Sequence, residues 1–148
     1  MKKVLIAYDS RTGNTEKMAE LIAEGVRISG QEAELMKISE IKNDKALQGY
    51  DAYMFGSPTY HRDMTGGMKT FLFLVQKAGL GGKIGGAFGS HTHSGDAPGL
   101  IFDTMQYVFK MKMTSLGSFN MKEDVITTGE GIRACQDYGK AIAEEASQ

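Results

Sequence analysis

Tryptophan is absent from this sequence, cysteine occurs once and proline twice. With Cys135 alone, an intramolecular disulfide is impossible and a cysteine-based zinc site is excluded. The isolated thiol suits a reducing compartment, so a cytoplasmic location is expected. Charge of one sign is also missing: 17 Lys and Arg stand against 18 Asp and Glu, a formal net charge of -1. No broad basic surface is implied, so neither nucleic acid nor a membrane is expected as a partner. Long hydrophobic runs are lacking too. The run at residues 4–8 stops at Asp9, too short for a signal-peptide core, and no other run is long enough to cross a bilayer. No internal repeat, low-complexity tract or linker is present.

What is present describes a globular chain. Its 148 residues, 41% hydrophobic and 24% charged, suit one domain spanning 1–148 with a core that needs no disulfide or metal. The 19 glycines point to tight loops or to close approach of backbone to a ligand. Residues 4–8, Val-Leu-Ile-Ala-Tyr, read as a strand buried on both faces. Met18, Leu21, Ile22, Gly25 and Val26 then fall on one helical face. Residues 33–37 read as a polar edge strand, 50–55 and 83–90 as buried strands, and 113–119 as a fifth strand. Between them, Met68, Phe71, Leu72 and Val75 mark one helix, and Ile101, Thr104, Met105 and Val108 mark another. Ile132, Cys135, Gly139, Ile142, Ala143 and Ala146 form the stripe of the last helix. Cys135 on that stripe reads as a buried structural thiol. Residues 71–75 are apolar almost all round, more than one buried face requires, which suggests a covered interface. Strands alternating with helices predict a doubly wound α/β sheet, whose ligand sits beyond the carboxyl ends of the strands.

Three loops lie there. The first, Ser10-Arg11-Thr12-Gly13-Asn14-Thr15, joins a buried strand to an amphipathic helix. It offers hydroxyls, an amide and a glycine at a helix N-terminus, the makings of a cradle for one phosphate. It lacks the glycine spacing and lysine of a nucleotide-triphosphate loop and the G-x-G-x-x-G of a dinucleotide loop. The second, residues 56–63, contains Ser57, Pro58, Thr59, Tyr60 and His61. The third, residues 89–96, contains Ser90, His91, Thr92, His93, Ser94 and Gly95, rich in donors and acceptors. The His-x-His pair has no carboxylate or cysteine pattern to complete a metal set, so no metal is expected. A phosphoacceptor domain is excluded because Asp9 stands alone and the third strand ends in Gly56-Ser57. A phosphotyrosine phosphatase is excluded by the absence of cysteine from the first loop.

The order Ser10-Arg-Thr-Gly-Asn-Thr15, Ser57-Pro58-Thr59-Tyr60 and Phe88-Gly89-Ser90 resembles the phosphate loop and the two flavin-flanking loops of the flavodoxins. The likeness runs through nearly the whole chain and is to the short form, with no long insertion in the fifth strand. The run from Ser57 to Phe71 is also similar to WrbA-type proteins, and the third loop to the flavodoxin module of flavodiiron enzymes. The resemblance implies a three-layer α/β/α sandwich with a five-stranded parallel sheet in the order 2-1-3-4-5. It implies bound FMN, with Ser10, Thr12, Asn14 and Thr15 on the phosphate around Gly13, and Arg11 directed to solvent. Pro58, Thr59, Tyr60 and His61 would lie beside the isoalloxazine, with Ser90, His91, Thr92, Ser94 and Gly95 along its other edge. The function so implied is electron transfer between protein redox partners, by a monomer or weak homodimer with no catalytic residue of its own. The alternative is an FMN-dependent NAD(P)H:quinone or flavin-type oxidoreductase.

Three departures qualify the resemblance. Many flavodoxins are strongly acidic, and this chain is near neutral. The usual stacking aromatic of the third loop is missing, leaving His91, His93 or Tyr60 as substitutes. His61 replaces a glycine whose peptide turns over on flavin reduction. A non-glycine residue resists φ > 0, so the one-electron-reduced flavin is expected to be less stabilised.

Overall fold

Residues 1–148 are all described by the computed structural model. Six strands form one parallel sheet: β1 (Lys3–Tyr8), β2 (Glu32–Lys37), β3 (Ala52–Gly56), β4 (Ile84–His91), β5 (Lys112–Met113) and β6 (Phe119–Lys122). Their order is β2-β1-β3-β4-β5, with β6 also on β4. Four helices connect them: α1 (Asn14–Ile28), α2 (Gly66–Ala78), α3 (Asp96–Asp103) and α4 (Gly129–Ser147). This is the expected α/β order, with its fifth position filled by two short strands.

Alternation along the strands divides the core in two. Val4 and Ile6 of β1, Met54 of β3 and Phe88 of β4 point to the side covered by α1 and α4. Leu5, Ala7, Tyr53, Phe55 and Ala87 point to the side covered by α2 and α3. Each side holds 19 buried residues, so neither face is left bare and β1 must be apolar throughout. Burying one such aliphatic side chain contributes about 1.5–3 kcal/mol.

Two expectations are corrected. The fifth strand is not continuous over 113–119. It pairs through Met113, keeps the Thr114 N–H on the Gly85 carbonyl at 2.9 Å, leaves the sheet over residues 115–118, and returns at Phe119. Tyr138 of α4 explains the gap. Its hydroxyl accepts from the Ala87 N–H at 3.2 Å and donates to the Gly117 carbonyl at 2.7 Å, so it serves β4 where a neighbouring strand would. Phe119 stacks on the Tyr138 ring, with centroids 5.0 Å apart.

The second correction concerns the third helix. After Asp103 the chain widens into a π turn over Thr104–Val108, closed by the Phe109 N–H on the Thr104 carbonyl at 3.1 Å. The wider turn rotates the apolar face by one residue. Phe109 is buried in the place expected of Val108, and Val108 is exposed.

Candidate functional site

The first loop runs from the end of β1 into α1. Gly13, at φ 93°, precedes the helix and has no side chain with which to cap it. Ser10 instead curls the loop from within, its Oγ accepting from the N–H groups of Gly13 (3.2 Å) and Glu16 (3.3 Å). Asn14 Nδ2 donates to Thr12 Oγ1 at 3.0 Å. The amides of Thr12, Asn14 and Thr15 have no partner within the chain. Those of Asn14 and Thr15 open the 15-residue helix at its positive end and that of Thr12 lies just before it, a donor set without an acceptor of its own. Below the loop, the Tyr8 hydroxyl donates to Glu16 at 2.7 Å. Burial first, then that carboxylate, pushes the Tyr8 phenol above its ordinary range.

Hydrogen bonds stitch this loop to the others. Thr15 is buried, with its Oγ1 2.7 Å from Ser90 Oγ at the end of β4. The Ser90 carbonyl accepts from the Thr59 N–H at 3.1 Å, and Thr59 Oγ1 accepts from the Ala97 N–H at 3.0 Å, capping α3. On the other side, Thr65 Oγ1 donates to Asp9 Oδ2 at 2.6 Å and accepts from the Met68 N–H at 3.1 Å, capping α2. Ser57 Oγ accepts from the Thr65 N–H at 3.2 Å. Ser57, Pro58 and Thr59 are therefore buried frame, and the exposed part of the second loop begins at Tyr60.

That exposed part is a tight hairpin. Tyr60 and Asp63 exchange both backbone hydrogen bonds, at 2.9 and 3.0 Å. The two central residues, His61 at φ 50° and Arg62 at φ 64°, are left-handed, as in a type I′ turn. His61 thus adopts the φ > 0 that a non-glycine residue was expected to resist. Side chains pin the turn: Asp63 pairs with Lys69, and Arg62 Nε lies 3.0 Å from Asp96 Oδ2. The Lys69 ammonium holds the Asp63 carboxyl below the usual carboxylate range. Arg11 is exposed as expected, with its guanidinium 5.3 Å from the centre of the Tyr60 ring.

Between the second and third loops lies a cleft of about 310 Å³, lined by Thr59, Tyr60, His61, Arg62, Thr92, His93 and Ser94. His91 is not among them. It lines a separate cleft with Thr92, Lys122, Glu123 and Asp124, and its Nδ1 is shut from solvent without a partner. A Cβ on Gly95 would come within 2.4 Å of Asn120 Oδ1 and 2.9 Å of His91 Nδ1, so a larger residue there would have to displace both side chains. Sequence reasoning missed Asp9, Thr65, Arg62, Asp96 and Asn120. Only an acidic residue directly before the phosphate loop could have hinted at the first.

The fold is matched by the comparisons. A flavodoxin domain model matches residues 5–83, more than half of the chain. The chain belongs to the flavodoxin family. A flavodoxin of Clostridium saccharobutylicum is 39% identical over 87 residues, 58% of this chain and 54% of that protein. A flavodoxin of Aquifex aeolicus is 33% identical over 97% of this chain and 86% of that one. An NAD(P)H dehydrogenase (quinone) of Gluconacetobacter diazotrophicus is 30% identical, covering 93% and 89%. Among solved structures, a flavodoxin from the Archaea superposes with a TM-score of 0.88 at 29% identity, covering 99% of each chain. Flavodoxin-family proteins bind FMN. The residues here fit that cofactor: unpaired amides for a phosphate and a cleft for a flat ring between the second and third loops. No helix is long and apolar enough to cross a membrane.

Proposed function

We propose that this chain acts as one domain that holds FMN between its three loops and passes electrons between protein partners. The unpaired amides of Thr12, Asn14 and Thr15 support this most directly, because they gather at a helix N-terminus with the oxygen chemistry of a phosphate monoester missing from the chain itself. Ser10, Thr12, Gly13, Asn14 and Thr15 hold the phosphate. Thr59, Tyr60, His61, Thr92, Ser94 and Gly95 frame the ring, with Ser57, Pro58 and Ser90 behind them. Arg11 and Arg62 stand at the rim. His91 serves from behind Gly95, not along the ring edge.

When bound, FMN supplies the redox chemistry, and the chain binds, orients and shields it. The lone buried Cys135 suits a reducing compartment, which we take to be the cytoplasm, and a monomer or weak homodimer is sufficient. The test is titration of the flavin-free chain with FMN and with riboflavin, read by flavin fluorescence. FMN is expected to bind at least about 100-fold tighter, because charge-assisted bonds to the phosphate are lost in riboflavin. Equal affinity would overturn the assignment of the first loop.

A second reading, direct NAD(P)H:quinone reduction, is favoured by the likeness to the Gluconacetobacter diazotrophicus enzyme. The cleft lined by Thr92, His93 and Ser94, with no stacking aromatic from the third loop, leaves room for a hydride donor. Steady-state NAD(P)H oxidation with a benzoquinone acceptor separates the two. Turnover establishes the reductase, and its absence in the FMN-loaded protein favours the carrier.

A further inference from the structure

The largest cavity is not among the three loops. It is a groove of about 660 Å³ between α2 and the turn that follows β2, within the range of small-molecule sites. Ile38 and Ile41 form one wall, and Phe71 and Leu74 of α2 form the other. Phe73 stands on the rim with 71% of its surface exposed, although the fold offers it no partner. Burying such a ring is favourable, and an occupant of the groove would bury it.

The charges at the two ends differ. At the N-terminal end of α2 lies Asp9, already engaged by Thr65 and packed against Gly67. At the other end lies Lys77, ten residues and about 15 Å further along the helix. Lys42 also lines the groove, on the opposite wall. Neither lysine forms an ion pair within the chain, whose three pairs are Lys3–Glu34, Arg62–Asp96 and Lys69–Asp63. No acidic residue occurs in α2 to neutralise them. An apolar trough with a carboxylate at one end, an unpaired ammonium at the other and a second unpaired ammonium on its wall selects both a ligand class and its direction.

We propose that this groove binds a small amphiphilic carboxylate, its apolar body lying along α2 over Phe71 and Leu74 and its anionic end at Lys77 and Lys42. The Asp9 end repels that charge, so the ligand lies one way round. The site is separate from the cleft between the second and third loops and does not depend on a bound flavin.

The experiment uses 2-naphthoate and the uncharged 2-naphthamide as probes, with the whole chain observed by methyl NMR in both flavin-free and FMN-saturated protein. Naphthoate is expected to shift Ile38, Ile41 and Leu74 saturably, and to bind about fivefold tighter than the amide. Lys42→Gln with Lys77→Gln should abolish the preference for the acid while leaving amide binding intact. Phe73→Ala should weaken both. Equal binding of acid and amide, a preference that survives the double substitution, shifts confined to other parts of the chain, or no saturable shift would each overturn the proposal. Displacement of naphthoate by FMN would also overturn it, because the probe would then occupy the phosphate loop. Failure of the chain to take up FMN would leave the groove result standing.

Discussion

Thr15 and Ser90 stand 75 positions apart, yet their hydroxyls meet at 2.7 Å in a buried contact between the phosphate loop and the end of β4. Removing either partner leaves a shielded hydroxyl alone. Thr15→Val or Ser90→Ala should each cost about 1–3 kcal/mol in urea unfolding, and the double variant should cost less than the two together. A fully additive result would show that the contact contributes nothing. His61 offers a second test at this scale. Its left-handed backbone is enforced by the Tyr60–Asp63 hairpin, so His61→Gly should be at least about 1 kcal/mol more stable than His61→Val. Thermal midpoints of the two variants decide it. The residues of the first loop were legible because their chemistry is contiguous in sequence. Asp9–Thr65 and Thr15–Ser90 were not, since only the sheet brings them together. The hairpin carries none of the Asn-Gly or Asp-Gly pattern by which such turns are read.

Elements were legible where one period governed them. β1 and α1 lie where the apolar pattern places them, because β1 is buried on both faces and reads as one apolar run, whereas α1 buries a single stripe. The fifth strand and the third helix departed from pattern for tertiary reasons. Tyr138, a residue of α4, accepts from the Ala87 N–H in place of a continuous fifth strand and donates to the Gly117 carbonyl. The π turn transfers burial from Val108 to Phe109 without any local sign in the residues. Tyr138→Phe tests the first of these. It keeps the ring on Phe119 and strands the Ala87 N–H, so a loss of about 1–3 kcal/mol is expected. Amide exchange at Ala87 should quicken along with it, and an unchanged exchange rate would show that the hydroxyl is not the partner.

For the whole molecule, burial sets the response to alkali. Burial pushes the Cys135 thiol up to about 12, and the phenols of Tyr8, Tyr50, Tyr53 and Tyr138 are raised as well. The unfolded chain ionises these groups first, near 8.5 for thiol and 10 for phenol in model peptides. Stability is therefore complete below pH of about 8.5 and falls as pH rises through the window between unfolded and folded values. Urea midpoints should decline from that pH, more steeply above about 10, and Cys135→Ala should remove the first part of the decline. Phenolate absorbance should lag in the folded protein and rise sharply on unfolding.

The interrupted fifth strand has a consequence at the rim of the sheet. One border is β2, which carries Glu32, Glu34 and Lys37 in its six residues, and the other is broken into pieces of two and four residues. Neither border offers an uncharged, uninterrupted template on which a second chain could add a strand. The protein should accordingly resist strand exchange and fibril growth even when concentrated, and a substitution set that neutralised Glu32, Glu34 and Lys37 would be the route by which that resistance is lost.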